Sequence, residues 1–130
     1  MSKLLIAVLL AVFSTNVLAE WTRLGSADNV TIYADLSTIR KSGDKVKMWH
    51  LMDEEVVKID KNDGTRYLSQ ASQNEYDCKE ETARRWALVW YSRNMGHGEV
   101  VYTSGAMHEE PRPVPPDSVL EALFKLACAK

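Results

Sequence analysis

The sequence predicts an α+β domain: an antiparallel β-sheet of about five to six strands, mostly a meander, with one C-terminal helix packed on it and held by a disulfide. Three observations lead there. Short alternating runs rich in β-branched and aromatic residues follow one another from Val30 to Thr103, separated by brief polar or glycine-containing turns. One stretch, Ser118 to Cys128, carries a strong helical signal. The two cysteines stand at the end of a long strand-like run (Cys78) and at the end of that helix (Cys128). Strands in succession, then a helix, with short connections, is the pattern of an antiparallel sheet with a helix on one face.

The first 19 residues are expected to lie outside the fold. Lys3 precedes an unbroken apolar run from Leu4 to Phe13, and the segment ends in Val17-Leu18-Ala19. A basic start, a short apolar run and a small residue at the end make a cleaved secretory signal, too short for a membrane span. No cysteine follows the expected cut, so a lipid anchor at Glu20 is not expected. Residues 20–130 then form one domain. Their expected location is the periplasm, the cell surface or the medium.

The formal net charge of −2 argues against a nucleic-acid partner, which normally selects a strongly basic domain. No second long apolar run is present, so no membrane span is expected in the mature chain. Two cysteines in an exported protein read as one disulfide, Cys78–Cys128. A metal or redox pair is the weaker alternative, because neither Cys-x-x-Cys nor Cys-x-x-His spacing occurs.

Taken in order, Trp21 to Leu24 opens the mature domain, and Gly25 to Asn29 is a turn by composition. Val30 to Ala34 alternates and is a strand. Asp35 to Arg40 predicts a short capped turn or a single helical turn, with Asp35 or Ser37 accepting backbone N–H bonds. Ser42-Gly43-Asp44 is a tight turn. Lys45 to Met52 alternates, with Val46, Met48, His50 and Met52 on one side and Lys47, Trp49 and Leu51 on the other. Asp53 to Gly64 is a charged hairpin loop into which Val56, Val57 and Ile59 extend the strand irregularly.

Arg66 to Cys78 is the next strand, and Lys79 to Thr82 the bend after it. Ala83 to Arg93 reads as a strand, Trp86, Leu88 and Trp90 facing one way and Ala87, Val89 and Tyr91 the other. A helical reading remains open, although aromatic and β-branched content favours the strand. Asn94 to Gly98 is a turn and Glu99 to Thr103 the last strand. Four prolines between Pro111 and Pro116 make a stiff, extended surface connection. Ser118 and Glu121 then form a capping box ahead of the apolar stripe Val119, Leu120, Leu123, Phe124, Ala127 and Cys128.

Several blocks together resemble the surface-adhesin protein E family of Gram-negative bacteria. They are Trp21-x-x-Leu24-Gly25, Tyr33-x-Asp35-x-x-Thr38-Ile39-Arg40-Lys41-x-Gly43 and Val46-Lys47-x-Trp49-x-Leu51. Gln73-x-Glu75-Tyr76-Asp77-Cys78, Arg85, Tyr91-Ser92-x-x-Met95-Gly96-x-Gly98-Glu99-Val100 and Pro116-x-Ser118-Val119 with Cys128 complete the set. The departure is His108-Glu109-Glu110, where the family pattern has a tryptophan. The resemblance implies a curved sheet with a disulfide-held C-terminal helix, a tendency to form a homodimer, and binding of host extracellular-matrix proteins; a cell-envelope protein is the alternative partner.

No catalytic or metal site is expected, and no cofactor. His50, His97 and His108 fall on separate elements. No Gly-x-Ser-x-Gly elbow is present. Asp77, beside Arg84 and Arg85, is better read as part of a structural ion pair than as a catalytic carboxylate. Asp35, Arg40, Asp77, Arg85, Gly96 and Gly98 are therefore assigned to turns and ion pairs. Trp49, Trp86, Trp90 and Tyr91 are the candidate binding or dimer surface, since aromatic residues are enriched at interface centres. A small apolar ligand bound on the sheet face in the periplasm is the alternative to an adhesin-like function.

Overall fold

The computed structural model describes residues 19–105 and 109–129. The expected signal segment, through residue 18, and His108 lie outside the described residues. Six strands, β1 (Thr22–Ala27), β2 (Val30–Ser42), β3 (Lys45–Ile59), β4 (Arg66–Asp77), β5 (Thr82–Tyr91) and β6 (Val100–Ser104), follow one another across the sheet in chain order. All pairings are antiparallel. A two-residue strand, β7 (Arg112–Pro113), adds to the Thr82–Ala83 end of β5. The helix α1 (Val119–Cys128) packs mainly over β2, β3 and β4. The expected fold class is the observed one.

Local chemistry places the turns. Asp28 and Asn29 both have positive φ, 52° and 66°, which suits the two-residue hairpin joining β1 to β2. Gly43, at φ 61°, does the same between β2 and β3. The proline-rich stretch is extended, and its β7 sits on an edge, where the missing N–H of proline is tolerated.

Three expectations need correction. The opening segment is not a lead-in to a turn at Gly25: it is strand β1, which runs through Gly25 by a register shift between Arg23 and Gly25. Asp35 to Arg40 is not a helical turn. It is an irregular stretch inside the continuous strand β2, where pairing with β3 lapses between Asp35 and Arg40 and then resumes. The capping chemistry survives: Asp35 Oδ1 accepts from the Ser37 amide at 3.0 Å, and Thr38 Oγ1 accepts from the Trp49 amide at 2.9 Å. Lastly, the loop after β3 is shorter than composition suggests. β3 continues to Ile59 through a second register shift, leaving only Asp60 to Thr65 as the connection. Val56, Val57 and Ile59 do extend the strand, and all three are exposed.

The core lies between α1 and one face of the sheet. Ile32 and Ala34 from β2, Val46 and Met48 from β3, Tyr76 from β4 and Ala83 from β5 meet Leu123 and Ala127 of the helix. Phe124 is only partly buried and meets the Tyr76 ring edge-on, with centroids 6.2 Å apart. Ser118 caps α1, its Oγ accepting from the Glu121 amide at 3.1 Å. The disulfide Cys78–Cys128 joins the end of β4 to the end of α1 across 50 residues, with Cα atoms 5.7 Å apart. It pins the helix where its apolar stripe meets the sheet. A loop of this length corresponds to roughly 4 kcal/mol in the chain-entropy estimate.

Candidate functional site

β5 is the strand that sets the surface chemistry, and a one-residue irregularity in it decides which aromatics share a face. Gln73 pairs with Ala87 and the next residue, Asn74, pairs with Arg85, so Trp86 is the extra residue of a bulge. Beyond the bulge, Leu88 and Trp90 face the helix side. Trp86 instead joins Ala87 on the helix-free face. There it meets Lys47, whose Nζ lies 3.6 Å from the ring centroid, and Arg84, whose Cζ lies 4.9 Å from it. Strict alternation, which groups Trp86 with Leu88 and Trp90, fails at this bulge.

The helix-free face also carries Trp49 and Tyr91, both half-buried. Beneath them Leu51 and Ala71 are buried. One end of this face is closed by the turn after β5, Asn94–Gly96, in which Met95 and Gly96 have positive φ, 58° and 71°. Ser69 Oγ donates to the Arg93 carbonyl at 2.6 Å and accepts from the Gly96 amide at 2.9 Å. Asp53 Oδ1 accepts from the Met95 amide at 2.7 Å and from Asn94 Nδ2 at 3.1 Å. Gly98 has φ +80°, and a Cβ there would stand 2.3 Å from Ser92 Oγ, so no other residue fits without moving the turn. The folded-back turn and the N-terminal Trp21 border a groove of about 380 Å³ lined by Trp21, Tyr91, Met95, Gly96 and His97.

Trp90 belongs to a different surface. It stacks on Tyr67, centroids 4.3 Å apart and planes 13° from parallel, and leans on Tyr102 at 4.7 Å. Its indole N–H donates to Gln70 Oε1 at 2.9 Å. Burial, and then the nearby Glu54 and Asp60 charges, raise the Tyr67 pKa. Trp90 is thus held in an aromatic stack on the helix side of the sheet, and the four aromatic candidates do not form one patch.

The expected ion pairs also move. Arg84 bonds Glu75, at 2.8 Å, on the helix-free face. Asp77 instead accepts from the Lys79 and Glu80 amides at 3.1 and 3.0 Å and so shapes the β4–β5 turn. Asp35 is buried and accepts from the Glu20 amide at 3.2 Å, while Arg40 donates to the Ser37 and Ile39 carbonyls. Two buried groups have shifted acidities. Burial pushes the Tyr76 hydroxyl up to about 12, offset in part by a hydrogen bond from Asn74. Burial, with the Arg85 charge second, lowers His50 to about 4, so its imidazole is neutral. Among the described residues no three His, Cys, Asp or Glu side chains converge on a possible metal position, and no helix is long and apolar enough to cross a membrane.

The family model for surface-adhesin protein E matches residues 21–129. The chain belongs to the surface-adhesin protein E family. Solved structures of Haemophilus influenzae protein E share its fold. Crystal form II superposes with a TM-score of 0.64 at 16% identity, covering 88% of this chain and 91% of that one. A second H. influenzae protein E structure gives 0.63 at the same identity, covering 88% of each chain. Protein E from non-typeable H. influenzae gives 0.60, covering 88% of this chain and 79% of that one. No curated protein matches. As a protein E family member, the chain is a surface-adhesin-like protein.

Trp21, Lys47, Tyr67, Met95 and Tyr102 take part in these surfaces and were not among the sequence candidates. Trp21, Lys47 and Met95 sit in blocks that carry the family resemblance, which is the signal that marks them. Tyr67 and Tyr102 have none, because their roles depend on the register of β4 and β6 against Trp90.

Proposed function

We propose that this chain is an exported, non-enzymatic binding module, and that its partners are host extracellular-matrix proteins, engaged through the helix-free face of the sheet. The observation that carries this reading is the half-buried aromatic set Trp49, Trp86 and Tyr91 on a face that α1 leaves open. Lys47 and Arg84 flank Trp86, giving an aromatic centre with cationic neighbours. Large aromatics at the middle of a face and charge at its edge suit protein recognition. The test is binding of the mature protein to immobilised matrix proteins, comparing wild type with Trp86→Ala. Saturable binding that Trp86→Ala weakens supports the reading; equal binding by both moves the contact elsewhere. Surface protease sensitivity in intact cells tests display, and purely periplasmic recovery argues against it.

A homodimer through the same face is the competing use of it. Beyond its two arginines β5 is apolar or aromatic on both faces, Trp86 to Tyr91, and α1 packs mainly over β2 to β4. A two-fold contact between copies covers what remains. Binding of a small apolar ligand is the second reading, and one cavity favours it. A space of about 450 Å³ between β1 and the start of α1 is lined largely by Leu24, Val30, Ile32, Met52, Val119 and Ala122. Saturable uptake of a fluorescent fatty acid by wild type, lost in Ala122→Trp, would support that reading.

A further inference from the structure

On the helix side of the sheet, where β5 lies between its β6 and β7 pairings, a second cavity of about 310 Å³ is lined by Asn74, Ala83, Arg85, Glu109, Arg112 and Leu120, among others. Its chemistry differs from every surface above. Arg84 has its carboxylate, Glu75, on the opposite face. Arg85 is half-buried, and among the described residues its guanidinium has no partner. Only its backbone amide is engaged, by Glu109 Oε2 at 3.4 Å. Its five donors therefore face the cavity, open to a ligand.

Behind Arg85 the sheet carries further unmet polar capacity. His50, Ser72, Leu88 and Ser104 form one register row across β3 to β6. His50 Nδ1, Ser72 Oγ and Ser104 Oγ are buried, and among the described residues none has a hydrogen-bond partner. Ser72 is two residues from Asn74, which pairs with Arg85, so the row lies roughly 7 Å along the sheet from the cavity wall. His50 is close enough to feel the Arg85 charge. Three orphaned polar atoms in one row beside an unpaired arginine are rare in a packed interior.

We propose that this cavity is a carboxylate-binding site in which the Arg85 guanidinium is the anchor. A planar guanidinium fork matches a carboxylate with two parallel N–H···O bonds. Glu109 and Glu110 oppose any anion here while Arg112 favours one, so a singly charged carboxylate is a better ligand than a doubly charged phosphate. The cavity is large enough for a small organic acid or for the C-terminal carboxylate of a partner polypeptide. The site lies on the other side of the sheet from Trp86, so it does not depend on the matrix-binding reading.

The test is NMR titration of the isotope-labelled mature protein at fixed ionic strength, following the Arg85 side-chain Nε–H and the amides of Asn74, Ala83 and Leu120. Acetate, succinate and a short peptide with a free or an amidated C-terminus are the probes, and chloride is the control. The expected result is saturable shifts confined to this cavity. Arg85→Gln should weaken them at least about tenfold, as loss of a charge-assisted pair does. Arg85→Lys should restore them only in part, and Arg66→Gln, on an exposed arginine elsewhere, should leave them unchanged. Stronger binding by the free-terminus peptide than by the small acids identifies a polypeptide end as the ligand; equal binding identifies a free acid. Shifts that never saturate, or that survive Arg85→Gln in a variant with a wild-type amide spectrum, overturn the proposal.

Discussion

The Ser69 hydroxyl holds Gly96, 27 residues further along the chain, through a 2.9 Å hydrogen bond from the glycine amide, and donates its own proton to the Arg93 carbonyl. Ser69 is fully buried, so it is a strut inside the sheet that fixes the turn closing the helix-free face. Ser69→Ala leaves two backbone groups without this partner. It should lower stability by about 1–3 kcal/mol and raise hydrogen exchange first at Met95 and Gly96. Gly98→Ala, which drives a methyl into Ser92 and Arg93, should have the same local signature. Wild-type exchange at this turn in both variants would show that the strut does not hold it.

Loss of the disulfide should act through the helix. Cys128→Ala should lower stability by roughly 2–5 kcal/mol. Amides of α1 should exchange before those of β3. Non-reducing mass spectrometry should find no free thiol in the exported protein, and two free thiols would contradict the structure.

Within α1, Leu123 should matter most. It is 2% exposed, whereas Phe124, the other large side chain of the apolar stripe, is partly open and meets Tyr76 only edge-on. Leu123→Ala should cost about 2–5 kcal/mol, and Phe124→Ala less than the roughly 3–5 kcal/mol of a fully buried phenylalanine. Urea denaturation measures both; the reverse order would place the stripe one residue out.

His50 should make stability fall in mild acid. Its folded pKa, about 4, lies below the ordinary 6.5, chiefly from burial and secondarily from Arg85. The unfolded chain therefore binds the proton first. The contribution is complete above about pH 6.5 and is lost as pH falls towards 4, a span worth roughly 3 kcal/mol. The polar neighbour opposite it, Ser72, is uncharged, so Arg85 is the charge that sets the secondary shift. Urea denaturation between pH 4.5 and 7.5 should show this slope, and His50→Leu should flatten it. An equal slope in the variant would assign the effect to carboxylates.

The fold was largely legible because it rests on local signals. Alternation, the glycine and asparagine turns, the Ser118 cap and two cysteines at element ends all agree. The surface was less legible because it rests on register. Trp86 changes sides through one extra residue in β5, and nothing in its own neighbourhood marks the bulge. β3 runs on through Asp53 to Ile59 because pairing with Tyr67 and Arg66 outweighs a charged composition. Asp35 to Arg40 stays in the strand for the same reason: β3 supplies partners on either side of the lapse, and the Asp35 cap fits a bulge as readily as a helical turn.

The oligomeric state should depend on one face only. If a second copy covers the helix-free face in place of a partner protein, sedimentation equilibrium gives a dimer. Tyr91→Glu, on the helix-free face, should dissociate it, whereas Trp90→Glu should not, because Trp90 is held in its stack with Tyr67 and Tyr102. A monomer at high micromolar concentration would remove the dimer from the account, and dissociation by Trp90→Glu alone would place it on the helix side.

The helix-free face is proposed to bind an extracellular protein through Trp86, on the stretch of β5 between its β6 and β7 pairings. Biolayer interferometry of the mature protein against a panel of immobilised host extracellular-matrix proteins, run in parallel with Trp86→Ala, tests it most directly. Saturable binding to at least one of them is expected, weakened at least about tenfold by Trp86→Ala in a variant with a wild-type melting curve. Absence of saturable binding to every matrix protein, or binding indifferent to Trp86, would contradict it.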